Sequence, residues 1–106
     1  MDNFRAVYHI LSELGKALDS PKADISRFDA EQLGVSENRW CSYIEMMEDV
    51  GYIKGAVIKR NIYDETLIDC DNMKITLKGL EYLQENSVMR KIYKTLKGIK
   101  DVTPKM

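Results

Sequence analysis

A single histidine, a single tryptophan, two cysteines and two prolines are spread over 106 residues. So sparse a set of ligating side chains leaves little to hold a metal ion. Cys41 and Cys70 form no CxxC pair, and His9 stands far from both in sequence. No stretch approaches the roughly 20 apolar residues of a membrane span. The longest aliphatic runs are of the length of Ala56-Val57-Ile58. The N-terminus, Met1-Asp2-Asn3-Phe4-Arg5, has neither the basic start nor the apolar run of a secretion signal. A cytoplasmic protein with two reduced thiols is therefore expected. Internal repeats, low-complexity tracts and glycine-rich phosphate loops are also missing, and neither Gly51 nor Gly55 belongs to a GxGxxG or GK[ST] pattern.

What is present is an ordinary globular balance, 44% hydrophobic and 31% charged. The length suits one domain, read as residues 1–106. The net charge of −1 hides a polarity along the chain. Residues 1–52 carry a net −5 and residues 90–106 a net +5. An acidic front and a basic tail constrain a partner more than the total does.

Helical periodicity opens at Asn3 and continues to about Leu18, with Phe4, Val7, Tyr8, Leu11, Leu14 and Leu18 as its apolar stripe. Ser20-Pro21 ends that helix, and Ala23–Ser26 reads as a short extended piece. A second, short helix begins after Asp29, a ready N-cap, and stops at Gly34. Ser36 caps a third helix with Trp40, Tyr43, Ile44, Met47 and Val50 on its inner face, and Gly51 closes it. Residues 52–60 and the pieces Thr66–Ile68 and Met73–Ile75 read as a β-hairpin with its turn over 61–65. Thr76 starts a fourth helix with Leu77, Leu80 and Leu83 inward, and Gly79 permits a close approach of backbones. A fifth helix spans about 87–102. Met89, Ile92, Tyr93, Leu96 and Ile99 line one side of it, and Arg90, Lys91, Lys94, Lys97 and Lys100 cover much of the rest.

Helix, short helix, tight glycine turn, helix and hairpin make a winged helix: an α+β, mostly helical fold with an additional C-terminal helix. The runs Gly34-Val35-Ser36-Glu37 and Met47-Glu48-Asp49-Val50-Gly51-Tyr52-Ile53 resemble the third helix and wing start of YjcQ-like proteins. So do Ile75 to Met89 and Tyr93 to Lys100, where the likeness is strongest. The resemblance implies a small winged-helix protein of bacteria and their phages, with a phage-associated role. It assigns no catalytic or binding residue.

The residues themselves point away from catalysis. His9 falls off the apolar stripe of the first helix and reads as a solvated side chain. Asp64, Glu65, Asp69 and Asp71 lack the spacing and central glycine of a calcium loop. The expectation is a non-enzyme with no cofactor, no metal, no membrane and no small-molecule substrate. Winged helices often read DNA by laying the third helix in the major groove. Here residues 36–50 carry one basic and four acidic side chains, which a polyanion repels. Asn38, Arg39 and Ser42 on that helix, Lys59 and Arg60 on the wing, and Arg90, Lys91, Lys94 and Lys97 on the last helix are the candidate nucleic-acid contacts. DNA binding is thus disfavoured, and a transcription regulator working through the wing and last helix is the alternative to a protein-binding module. Met89, Ile92, Tyr93, Leu96 and Ile99 form a candidate dimer surface.

Trp40 is the expected buried anchor. Its emission should be blue-shifted in the native state and shift red on unfolding, and Trp40→Ala should cost on the order of 3–5 kcal/mol in chemical denaturation. Fully solvated native emission would rule out the assigned register.

Overall fold

A computed structural model describes residues 1–86 together with Val88, Arg90 and Lys91. The expected dimer stripe Met89, Ile92, Tyr93, Leu96 and Ile99, and the cations Lys94 and Lys97, lie outside these residues. α1 spans Asn3–Lys16 and starts where the Asp2 carboxylate accepts the Arg5 N–H. α2 is the single turn Ala30–Leu33, capped by Asp29 and stopped by Gly34 at φ +66. α3 is Glu37–Val50, capped by Ser36 and closed by Gly51 at φ +87. There the Tyr52 N–H returns to the Met47 carbonyl and the Gly51 N–H to that of Glu48, the Schellman pattern.

The β structure is two antiparallel pairs laid end to end. β1 (Ile53–Lys54) pairs with β4 (Lys74–Ile75), and β2 (Val57–Arg60) pairs with β3 (Thr66–Asp69). Register runs Ile53 to Ile75 and Ile58 to Ile68. The break between the pairs falls at Gly55, at φ +87, where a Cβ would stand 2.7 Å from the Asn72 carbonyl carbon. α4 follows as Leu77–Glu85, with Thr76 as its cap. Among the described residues this is an α+β, mostly helical, winged-helix-like arrangement, as the sequence pattern implies. No helix among them is long and apolar enough to cross a membrane.

The core gathers where α1, α2, α3 and the base of the hairpin meet. Ile10, Leu11, Phe28, Leu33, Ile44, Met47 and Ile53 are each at most 2% exposed. Trp40 is buried, and its ring N–H donates to the Phe28 carbonyl at 2.7 Å. That bond ties α3 to the segment leading into α2 and satisfies the indole as its aromatic face is buried.

Several expectations fail, each for a visible reason. Ala23–Ser26 is not extended: Asp24 caps a 3-10 turn over Ile25–Arg27, accepting from both the amide and the hydroxyl of Ser26. These bonds hold the Asp24 carboxyl below its ordinary pKa. That turn lies against α1 and buries its polar flank. His9 is therefore not solvated: its Nε2 lies 3.0 Å from the Arg27 carbonyl oxygen. Glu13 is buried as well, between Lys16 Nζ at 3.4 Å and Arg27 Nη1 at 3.8 Å. Leu18 and Leu77 are exposed rather than inward. Phe4 and Val50 are also uncovered, at 67% and 49% exposure.

Gly55 and Gly34 separate two costs of a side chain. Both have positive φ, but a Cβ at Gly34 meets nothing within 4 Å. Gly34→Ala should lose about 1–2 kcal/mol from left-handed strain. Gly55→Ala should lose clearly more, because the Asn72 backbone must also move. Urea denaturation of the two variants checks this, and equal losses would contradict it.

Candidate functional site

α3 divides into four flanks, and each has a different neighbour. Trp40, Ile44 and Met47 face the core. Cys41, Glu45 and Glu48 face the hairpin. Cys41 Sγ lies 4.0 Å from the Thr66 carbonyl oxygen, Glu45 pairs with Arg60 at 3.6 Å, and the Ala56 N–H donates to Glu48 at 3.3 Å. Asn38, Ser42 and Asp49 form an exposed outer ridge. On the fourth flank Arg39, Tyr43, Met46 and Val50 look toward the first turns of α1.

Between that flank and Asn3, Phe4 and Val7 lies an open groove of about 700 Å³. Tyr52 and Tyr82 line it too, their rings 5.0 Å apart. Burial, then the neighbouring Tyr52 and Tyr8, pushes the Tyr82 phenol above its ordinary pKa, so it stays neutral. Asn3 holds the α1–α3 junction: its side-chain oxygen accepts from the Tyr43 hydroxyl at 2.5 Å and from Arg39 Nη1 at 3.3 Å. The groove is thus mostly apolar. Among the described residues Arg39 is its one charged lining side chain, and Asn3 already engages that guanidinium.

Of the candidate nucleic-acid contacts, Asn38, Arg39 and Ser42 do come together, at the rim of this groove. Ser42 Oγ donates to its own helix, to the Asn38 carbonyl at 3.0 Å. Lys59 and Arg60 are exposed on β2. Arg60 is bonded to Glu45 at 3.6 Å and to Thr66 Oγ1 at 3.0 Å. Arg90 and Lys91 are exposed beyond α4. The helix and wing sets of described candidates lie on different elements, α3 and β2. The groove itself was missed in the sequence. Its signal was there in Phe4, Val7 and Val50, apolar side chains at helical spacing that read as core.

The cysteines sit on the hairpin side. Burial raises the Cys41 thiol above its ordinary pKa, with Glu37 and Glu45 adding to the effect. Burial, with Asp69, Cys41 and Asp71, pushes Cys70 up to about 11. Both therefore remain protonated, poor nucleophiles at neutral pH. Among the described residues no cluster of His, Cys, Asp and Glu is arranged to hold a metal. A raised pKa lowers the thiolate fraction below it, so in Cys41→Ser the remaining Cys70 should react with Ellman's reagent at pH 7.5 roughly tenfold or more slower than a free thiol. The rate should climb with pH toward 11. A rate that levels off near pH 8 would refute this.

No curated protein and no solved structure matches the chain. The family model described as YjcQ protein matches residues 8–102, from within α1 through the hairpin and α4 into the basic tail. The chain belongs to the YjcQ family.

Proposed function

We propose that this chain is a non-enzymatic binding module that docks an apolar protein segment in the groove between α1 and α3. The observation that carries this reading is the groove's exposed lining: Phe4, Met46 and Val50 are 67%, 53% and 49% exposed, side by side. Exposed apolar surface of this kind marks binding surfaces on small proteins. An amphipathic helix is the shape that a groove between two helices receives. A cytoplasmic, phage-associated setting belongs to the same reading, on the strength of the likeness in the second half of the chain.

The alternative, a DNA-binding regulator, has one observation in its favour: Lys59, Arg90 and Lys91 are exposed cations. Against it stand the residues a groove-reading helix would present, Asn38, Ser42 and Asp49, with Glu45 beside them. A duplex demands a basic surface, and this ridge offers none.

Two titrations decide between the readings. A random-sequence duplex in a gel shift should give no micromolar complex between about 50 and 200 mM salt. A generic Leu/Lys amphipathic helix peptide of about 15 residues should shift the methyl resonance of Met46 in the Ile92→Glu/Leu96→Glu variant, whose own basic tail cannot compete for the groove. Micromolar, salt-sensitive duplex binding lost in Lys91→Glu/Lys94→Glu, with no peptide shift at Met46, would overturn the proposal.

A further inference from the structure

We infer that the segment docked in the α1–α3 groove is the basic C-terminal helix of a second copy of this chain, exchanged reciprocally. The inference rests on the binding-module reading and names its partner.

Length is the first argument. The groove runs along α3 from Ser36 to Val50, about 21 Å at 1.5 Å per residue. The chain beyond α4 holds an apolar stripe, Met89, Ile92, Tyr93, Leu96 and Ile99, at helical spacing. As a helix that stripe spans about 15 Å, which the groove accommodates along its length. Its residue types suit the lining, where Phe4, Val7, Met46 and Val50 supply an apolar wall and Tyr52 and Tyr82 an aromatic end.

Charge is the second. The part of the chain that builds the groove, residues 1–52, has a net −5. The tail, residues 90–106, has a net +5. Asp49 adjoins the lining residue Val50 and is exposed; Asp2, beside Asn3, pairs with Arg5 at 3.2 Å, and the lining cation Arg39 is held by Asn3. A stripe flanked by Arg90, Lys91, Lys94 and Lys97 would set its lysines over such a rim as its apolar side enters the groove.

The third argument selects another molecule over the chain's own tail. The chain is helical again at Val88, Arg90 and Lys91, with the Arg90 N–H donating to the Asn86 carbonyl at 3.0 Å. Val88 lies one helical turn before Ile92, so helical spacing puts it on the same stripe. It is 69% exposed. The body of the chain therefore leaves Val88 uncovered. Reciprocal exchange satisfies both surfaces at once, because each copy offers one groove and one helix and a two-fold pair closes without leftover faces.

Light scattering on size-fractionated full-length protein tests this. Wild type should be a dimer at micromolar concentration. Met46→Glu, at an exposed groove position, and Ile92→Glu/Leu96→Glu, in the tail, should each be monomeric with an unchanged far-UV spectrum. An equimolar mixture of these two variants should recover dimer, because one groove–helix contact is then intact, at roughly tenfold or more higher concentration than wild type needs. A monomeric wild type, a dimer indifferent to both variants, or a mixture that stays monomeric would each overturn the exchange. A monomer that still shifts at Met46 with the Leu/Lys peptide removes only the second copy. A monomer that takes no peptide removes the docking groove with it.

Discussion

Gly51 turns the chain left-handed at the end of α3, and that turn is bound directly to the start of α4. The Thr76 hydroxyl donates to the Gly51 carbonyl, and the Thr76 N–H donates to the Tyr52 carbonyl at 2.9 Å. Gly79, one turn on, has no Cβ where one would press on the Tyr52 carbonyl and stand 2.6 Å from Ile75 Cγ1. Two glycines and a threonine thus let the two helix ends share one backbone junction. The junction closes the base of the hairpin, since Ile53 and Ile75 pair just beside it. It also sets the Tyr52 ring against Tyr82 and so builds one end of the groove. A larger residue at 79 would separate α3 from α4, and the hairpin base and the groove would change together.

From that junction α3 is held on two sides and left open on a third. The carboxylates that repel DNA in a reading by charge alone have local work to do. Glu45 meets Arg60 and Glu48 caps the free Ala56 N–H, so the acidic flank of α3 is what seats the hairpin. An exposed pair such as Glu45–Arg60 adds roughly 0.2–1 kcal/mol. Its larger effect is on availability, because a wing arginine bonded to α3 and Thr66 is less free to meet phosphate. The charge argument against DNA binding is altered in form. Part of the negative charge on α3 is neutralised in place, but so is part of the positive charge of the wing.

Local signals carried most of the fold. Asp29, Ser36 and Thr76 cap the helices they were expected to cap, and Gly34 and Gly51 stop them, because capping depends only on residues a few positions apart. Expectations failed where the deciding contact came from distant chain. His9 and Glu13 look like a solvated flank of α1 until the turn at Ile25–Arg27 brings a carbonyl and a guanidinium across them. Leu77 matches the inner period of α4, yet the cap at Thr76 rotates it outward to 76% exposure. The groove was illegible for the same reason. Periodicity reports that Phe4, Val7 and Val50 want burial, and it does not report whether the same chain supplies the cover.

The failures at Phe4 and Val50 differ in kind from that at His9. A short chain buries a smaller share of its surface than a long one and has few apolar side chains to spare. Leaving Phe4, Met46 and Val50 in water forgoes roughly 1.5–3 kcal/mol for each large side chain relative to full burial. Scattered exposed residues need no explanation, but these converge on one groove whose end is fixed by the α3–α4 junction. A pattern that calls for burial and a fold that withholds it agree only when the missing cover comes from outside the described body. The tail of the chain carries apolar residues at helical spacing and a net +5 over residues 90–106, a pattern of the kind that could supply such cover, and local pattern and global fold are consistent only once that cover is counted.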